Sequence, residues 1–149
     1  ENDVRIVFDL ADPFAVSRNQ DSFLEIIQQD IDIVFANKSE LNILFDSEDL
    51  EFCLENLGQA VENFGIKLGK EGSLVIDGSR RHIIYPSPVL AKDSTGAGDM
   101  YAAGFLTSLA KGRSYYDSGK VAVQLAEEVI QINGAQLDKE AILHLAKKI

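Results

Sequence analysis

The chain has a single cysteine, Cys53, among 149 residues, which excludes an internal disulfide framework and suits a reducing compartment. Cys53 itself reads as a small hydrophobe on a helix. Histidine is equally scarce. His82 and His144 have no partners at ligand spacing, so they read as a strand residue and a surface residue. Positive charge is in short supply, with 14 Lys and Arg against 24 Asp and Glu and a net charge of −10. Such an acidic surface repels a phosphate backbone and argues against a nucleic-acid partner, and the trio Arg80, Arg81 and His82 is too short to reverse that. No apolar run reaches the roughly 18 residues a membrane span requires, so no membrane association is expected. The opening Glu1-Asn2-Asp3-Val4 offers neither a basic nor an apolar leader, and no initiating Met. The expectation is a processed or truncated chain in the cytoplasm.

What is present is ordinary for a globular protein: 46% apolar and 26% charged residues, with no repeat, linker or low-complexity segment. A chain of this length buries about 68–70% of its unfolded surface. Residues 4–10 (VRIVFDL) read as a strand, with Asp12-Pro13 as a breaker. Phe23, Leu24, Ile26 and Ile27 predict a helix over 21–29. Residues 31–35 (IDIVF) have the continuous apolar pattern of a strand buried on both faces of a parallel sheet. Helices are predicted over 39–45 and 49–64, the second with Phe52, Leu57, Val61 and Phe64 on one side. Brief strands follow at 65–69 and 73–77. Asp77-Gly78 signals a turn from which 82–85 (HIIY) pairs back as a hairpin, closed by Pro86 and Pro88. Helix is predicted from Gly96 to about Lys111, with Gly112 as its C-cap, apolar nearly throughout and therefore buried. The next helix, 117–132, turns Val121, Leu125 and Val129 inward and Glu127, Glu128 and Gln131 toward water, and Tyr115-Tyr116 packs at its start. A last helix covers 139–148. The class is α/β, in one domain.

The most informative stretch is residues 93–99, Asp-Ser-Thr-Gly-Ala-Gly-Asp, opening a helix. Two glycines in a first turn cost about 1 kcal/mol each relative to alanine. They let a ligand approach the free backbone N–H groups, which favour an anion. An acid one turn in, Asp99, should repel that same anion. The conflict dissolves when Asp99 takes a proton from a hydroxyl while the amides hold a phosphoryl group. The alternative is that Asp99 only complements the helix dipole. A Walker loop is excluded because Asp99-Met100 stands where Lys-Ser/Thr is needed, and an aspartic protease because two residues separate Asp93 from Gly96.

Residues 93–99, continued by Met100-Tyr101-Ala102-Ala103-Gly104-Phe105, closely resemble the C-terminal signature of the PfkB (ribokinase-like) carbohydrate kinases. Three further landmarks occur in family order: Asn37-Lys38-Ser39-Glu40, Lys67-Leu68-Gly69-Lys70-Glu71-Gly72, and Asn133-Gly134-Ala135. The resemblance implies a ribokinase-like three-layer αβα fold, its sheet mainly parallel with a terminal hairpin. It implies phosphoryl transfer from ATP to a hydroxymethyl group of a small sugar or nucleoside. Asp99 would be the base, and the amides of Gly96, Ala97 and Gly98 would stabilise the transferred group. Asn37 and Glu40 would hold hydrated Mg²⁺, although Asn-x-x-Glu is also a capping box. Lys67, Gly69 and Gly72 would lie along the nucleotide. Lys67 stands where the family commonly has a small polar residue, so it touches phosphate or points to solvent, and the glycines also suit a plain turn. Asp93 and Thr95 match positions lining a K⁺ site, or else cap the helix. Residues 9–14 and 31–37 look closer to the adenosine-kinase-like branch than to ribokinases proper.

Family members are much longer, and this chain corresponds to their C-terminal half, without the N-terminal half and lid. The isolated chain is therefore expected to be inactive, with an unpaired sheet edge that favours self-association or pairing with the missing half. The competing classes are a non-catalytic nucleotide-binding module, one half of a split protein, and an interaction domain that only retains the fold.

Overall fold

Three segments rich in β-branched and aromatic residues form parallel strands. β1 (Val7–Asp9) pairs with β2 (Ile33–Asn37), and β2 pairs with β3 (Asn63–Lys67), with Asp9 opposite Phe35 and Asn37 opposite Lys67. β4 (Ser73–Asp77) and β5 (Arg80–Ile84) complete a five-stranded sheet in the order β1-β2-β3-β4-β5. The short links between β3, β4 and β5 are too brief for a parallel crossover. β4 therefore runs back along β3, as the bond from the Gly78 amide to the Glu62 carbonyl shows, and β4–β5 is the expected hairpin. The computed structural model describes residues 4–134 with Glu140 and Leu143; of the helix expected over 139–148 only those two residues, both helical, are described, and Ala135 and His144 lie outside the described residues. The chain divides into two compact units, one of residues 1–69 and 74–82, the other of 70–73 and 83–149.

In the first unit, helices α1 (Pro13–Arg18), α2 (Gln20–Asp30), α3 (Lys38–Leu44) and α4 (Leu50–Ala60) alternate with the strands. The core gathers Val34 and Ala36 of β2, Phe64 and Ile66 of β3 and Leu74 of β4 with Val16, Ile27, Leu41 and Leu57 from the four helices. β2 is buried on both faces from Ile33 to Ala36, as its apolar run predicts, although it begins two residues later than expected. β1 ends before Asp12-Pro13, as expected, and Pro13 also starts α1. Asp12 accepts the Phe14 amide at 2.9 Å, and proline at the first helical position gives up only an N–H that has no helical partner. α4 stops at Ala60 instead of Phe64, because Val61 is already extended and Phe64 is in register with Val34 in β3. Its buried face is Cys53, Leu54 and Leu57, while Phe52 is 47% exposed. Burial pushes the Cys53 thiol above its ordinary pKa, consistent with a packing role. Arg81 of the basic trio is engaged by Glu51 through two bonds of 2.6 and 2.7 Å.

The second unit is built on α5 (Ala97–Ala110) and α6 (Tyr115–Ile130). α5 is not buried all round. Tyr101, Gly104, Phe105 and Ser108 form an inward stripe at helical spacing, and Ala103 and Ala110 are exposed. A Cβ at Gly104 would lie 2.9 Å from Leu125 Cδ1 and 3.2 Å from the Ala122 Cα, so the absence of a side chain there lets α6 close on α5. Tyr101 stacks on Phe105, Phe105 meets Tyr115 edge-on at 5.7 Å, and the Tyr101 hydroxyl bonds Ser73. Tyr115 thus packs as expected, while Tyr116 is half-exposed beneath the Lys120 ammonium. α5 ends near Lys111 as expected, but Lys111 itself is the C-cap, and Gly112 follows it in the left-handed region at φ 80°. Glu127, expected in water, is buried and accepts the Ser87 amide.

The buried hydroxyls of Ser108 and Ser118 find no partner among the described residues. An unpaired buried hydroxyl costs about 1–3 kcal/mol. Ser108→Ala is therefore expected to raise the urea midpoint by about 1 kcal/mol in equivalent stability; an unchanged or lowered midpoint would mean that the hydroxyl is satisfied in solution.

Candidate active site

The carboxyl ends of parallel strands are where open α/β sheets gather ligands. In the first unit β1, β2 and β3 end on Asp9, Asn37 and Lys67. Asn37 also caps α3. Its side chain accepts the Glu40 amide at 2.9 Å, while its own amide donates to Glu40 Oε2 at 2.7 Å and its Nδ2 to Oε1 at 2.6 Å. The capping box expected from the spacing is therefore formed, with both carboxylate oxygens of the buried Glu40 engaged by one residue. Burial raises the Glu40 pKa. The Asn37 backbone bond and the nearby Lys67 charge oppose the rise, and Asp9 and Asp12 add to it.

Lys67 does not point to solvent but is paired within the protein. Its ammonium lies 3.0 Å from both carboxylate oxygens of Asp9. Asp9 Oδ1 also accepts the amide of Ala11, a non-glycine residue at φ 59°. Sequence reasoning missed Asp9 as a site residue. The only signal for it, opposite charges ending β1 and β3, becomes visible once the strand order places those two strands on either side of β2. Beyond Lys67, Gly69 stands at φ 60° in open space and begins a short 3₁₀ turn. Gly72 has φ 89°, and a Cβ there would fall 2.0 Å from the Ile84 carbonyl oxygen. That contact gives Gly72 a packing reason independent of any ligand.

In the second unit, Asp93 fastens the loop that enters α5. It accepts Thr95 Oγ1 at 2.6 Å, the Thr95 amide at 2.9 Å and the Gly134 amide at 2.9 Å. The Thr95 hydroxyl, and then the Thr95 and Gly134 amides, hold the Asp93 carboxyl below the usual aspartate range. The α6 terminus anchors the same segment, since the amides of Lys92 and Asp93 both donate to the Ile130 carbonyl, at 2.7 and 3.2 Å. Gly96 then caps α5 in the left-handed region, φ 80°, with no side-chain cap bond. The Ala97 amide bonds the Ser94 carbonyl, and the first helical bond runs from Met100 to Gly96. Gly98 and Asp99 occupy the first turn, whose amides have no helical carbonyl to reach. Asp99 itself is exposed on that turn.

The expected metal residues thus fall into two sets, Asn37 with Glu40 in the first unit and Asp93 with Thr95 in the second. Among the described residues no group of three or more His, Cys, Asp or Glu gathers to hold a metal by itself. A single buried carboxylate whose oxygens already accept hydrogen bonds fits a hydrated Mg²⁺ carried on a phosphate, which needs only one or two protein carboxylates. Two open cavities of about 380 and 410 Å³ flank α6, and residues 93–99 line neither of them.

Comparison with known proteins joins these observations. Residues 1–142 match the pfkB family carbohydrate kinases. An uncharacterized sugar kinase of Archaeoglobus fulgidus is 32% identical over 132 residues, covering 88% of this chain and 52% of the relative. Two crystal structures superpose closely. A probable sugar kinase from Rhizobium etli has TM-score 0.91 and 30% identity over 98% of this chain and 44% of its own. Adenosine kinase from Sinorhizobium meliloti has TM-score 0.90 and 34% identity over 97% of this chain and 44% of its own. The chain spans about half the length of these relatives. Its fold is the ribokinase-like α/β fold, and the chain belongs to the pfkB family of carbohydrate kinases.

Proposed function

We propose that this chain is the C-terminal portion of an ATP-dependent kinase that phosphorylates a hydroxymethyl group of a small sugar or nucleoside. The observation that carries this reading is the start of α5, where a left-handed Gly96 without a side-chain cap precedes first-turn amides and an exposed Asp99. Asp99 accepts the acceptor's hydroxyl proton as its oxygen bonds the γ-phosphorus; the bond from that phosphorus to the β–γ bridging oxygen breaks, and ADP leaves. The amides of Gly96, Ala97 and Gly98 face the charge that develops on the transferred group. Asn37 and Glu40 are the residues to hold Mg²⁺, which when bound neutralises phosphate charge. Lys67, Gly69 and Gly72 contact the nucleotide, Lys67 by sharing its ammonium between Asp9 and phosphate. Asp93 and Thr95 are the candidate K⁺ residues, although their mutual bonds serve equally to fasten the loop.

Resemblance to the S. meliloti adenosine kinase favours a nucleoside acceptor. The second reading is a non-catalytic nucleotide-binding module or one half of a split protein. β1 lies at the sheet edge beside exposed Val4 and Ile6, which supports self-association or pairing with a further N-terminal half. A cytoplasmic enzyme fits the single buried Cys53.

ADP release with Mg-ATP and adenosine, inosine, ribose or fructose tests this, on the chain alone and on the same chain extended upstream. Asp99→Asn is expected to lower transfer by at least about 100-fold while Mg-ATP affinity stays within a few-fold. Unchanged turnover would leave Asp99 a helix-dipole charge. Mg-ATP at 100 times its Kd is expected to stabilise the fold by about 2.7 kcal/mol, and no stabilisation would favour an interaction domain.

The low Asp93 pKa carries a sign. A carboxylate with a depressed folded pKa adds stability above its unfolded pKa and loses it as pH falls through the folded value. Thr95→Val removes the largest cause, so the Asp93 titration followed by carboxyl ¹³C shifts is expected to move upward. The stability that Asp93 adds at neutral pH, and the share of it lost as pH falls from the unfolded to the folded pKa, should then both shrink, and an unmoved titration would contradict the loop geometry.

A further inference from the structure

We propose that Glu127 is a positioning residue for the Asp99 loop, acting through the backbone of residues 87–93; the link to Asp99 rests on the function proposed above. Ser87 stands between Pro86 and Pro88, neither of which has an N–H, and residues 85–91 form no helix or strand. The Ser87 amide is therefore the one backbone donor of that tripeptide, and no ladder takes it. Glu127, on α6 and only 9% exposed, supplies the acceptor. An acid is expensive at a buried position unless its oxygens are used, and here one of them accepts that amide.

Three further bonds tie the same segment to the end of that helix and the residues just after it. The Ile130 carbonyl accepts the amides of Lys92 and Asp93, and Gly134 donates to the Asp93 carboxylate. The Gln131 side chain bonds the Glu127 carbonyl, bracing the turn that carries the acid. α6 also packs on α5 at Gly104. One helix thus fixes both the segment leading into the loop and the helix leading out of it, so residues 93–99 hang between two points on a common rigid support. Of these bonds, the one Glu127 makes lies farthest upstream and comes from a side chain of α6.

The test uses the chain itself with Glu127→Met, which fills the space without an acceptor, and Glu127→Gln, whose carbonyl oxygen still accepts the Ser87 amide. In Glu127→Met, amide exchange at Ser87, Lys92, Asp93 and Thr95 is expected to rise at least about tenfold, while Phe35 and Ala36 of β2 stay within twofold of wild type. Mg-ATP affinity is expected to fall about tenfold with it. Glu127→Gln is expected to restore both. Unchanged exchange at Lys92 and Asp93 in Glu127→Met overturns the proposal, as does a parallel loss of protection in β2, which would make Glu127 a general stabiliser. Loss of protection in Glu127→Gln overturns it too, and this variant decides the matter should Glu127→Met not fold. Faster loop exchange with Mg-ATP affinity intact breaks the link to Asp99. A wild-type chain that binds no Mg-ATP refutes the kinase reading instead, and the exchange comparison, which contains no nucleotide, then decides the positioning role on its own.

Discussion

Parallel pairing of β1, β2 and β3 brings three strand ends to one edge of the sheet, and the polar chemistry of the first unit depends on that alignment. Asn37 and Lys67 are opposite each other in register, and Asp9 ends the strand on the far side of β2. A shift of one residue in any of these strands would turn each of its side chains to the opposite face of the sheet and carry its terminal polar residue away from the others. The continuous burial of Ile33 to Ala36 makes such a slip costly. The core of this unit therefore holds the side chains of Asp9, Asn37, Glu40 and Lys67 in place while touching none of their chemistry.

The second unit solves a different problem, that of presenting the start of a helix. Glycine at position 96 lets the chain enter α5 from the left-handed region, and the missing side chain at position 104 lets α6 approach. Asp93 closes the entry by bonding both a neighbour two residues on and the Gly134 amide 41 residues away. Local and long-range bonds thus converge on one carboxylate, which fixes the loop more firmly than its short, polar sequence suggests.

Most elements were legible because their apolar periodicity is decided locally. The 73–77 strand, the hairpin, α5 and the Asn37–Glu40 box follow from spacing alone. The misreadings share a cause. Phe64 looked helical because its spacing fits, until pairing with Val34 claimed it for β3. Glu127 looked solvated and Lys67 looked available because their partners, Ser87 and Asp9, lie 40 and 58 residues away in sequence. Burial and charge pairing of this kind are properties of the assembled chain, which no local window contains.

The Asp9–Lys67 pair also determines how this edge of the sheet responds to ionic surroundings. The ammonium is already neutralised and mostly shielded, with 17% of its side chain exposed. An arriving anion does not meet a bare cation; it must displace or share a counter-ion that the protein carries itself. The long-range pull on any negatively charged solute is correspondingly weak, and the chain's net charge of −10 weakens it further. Any selection among anions at this edge would therefore fall to short-range fit, made against the same carboxylate that keeps the lysine in position.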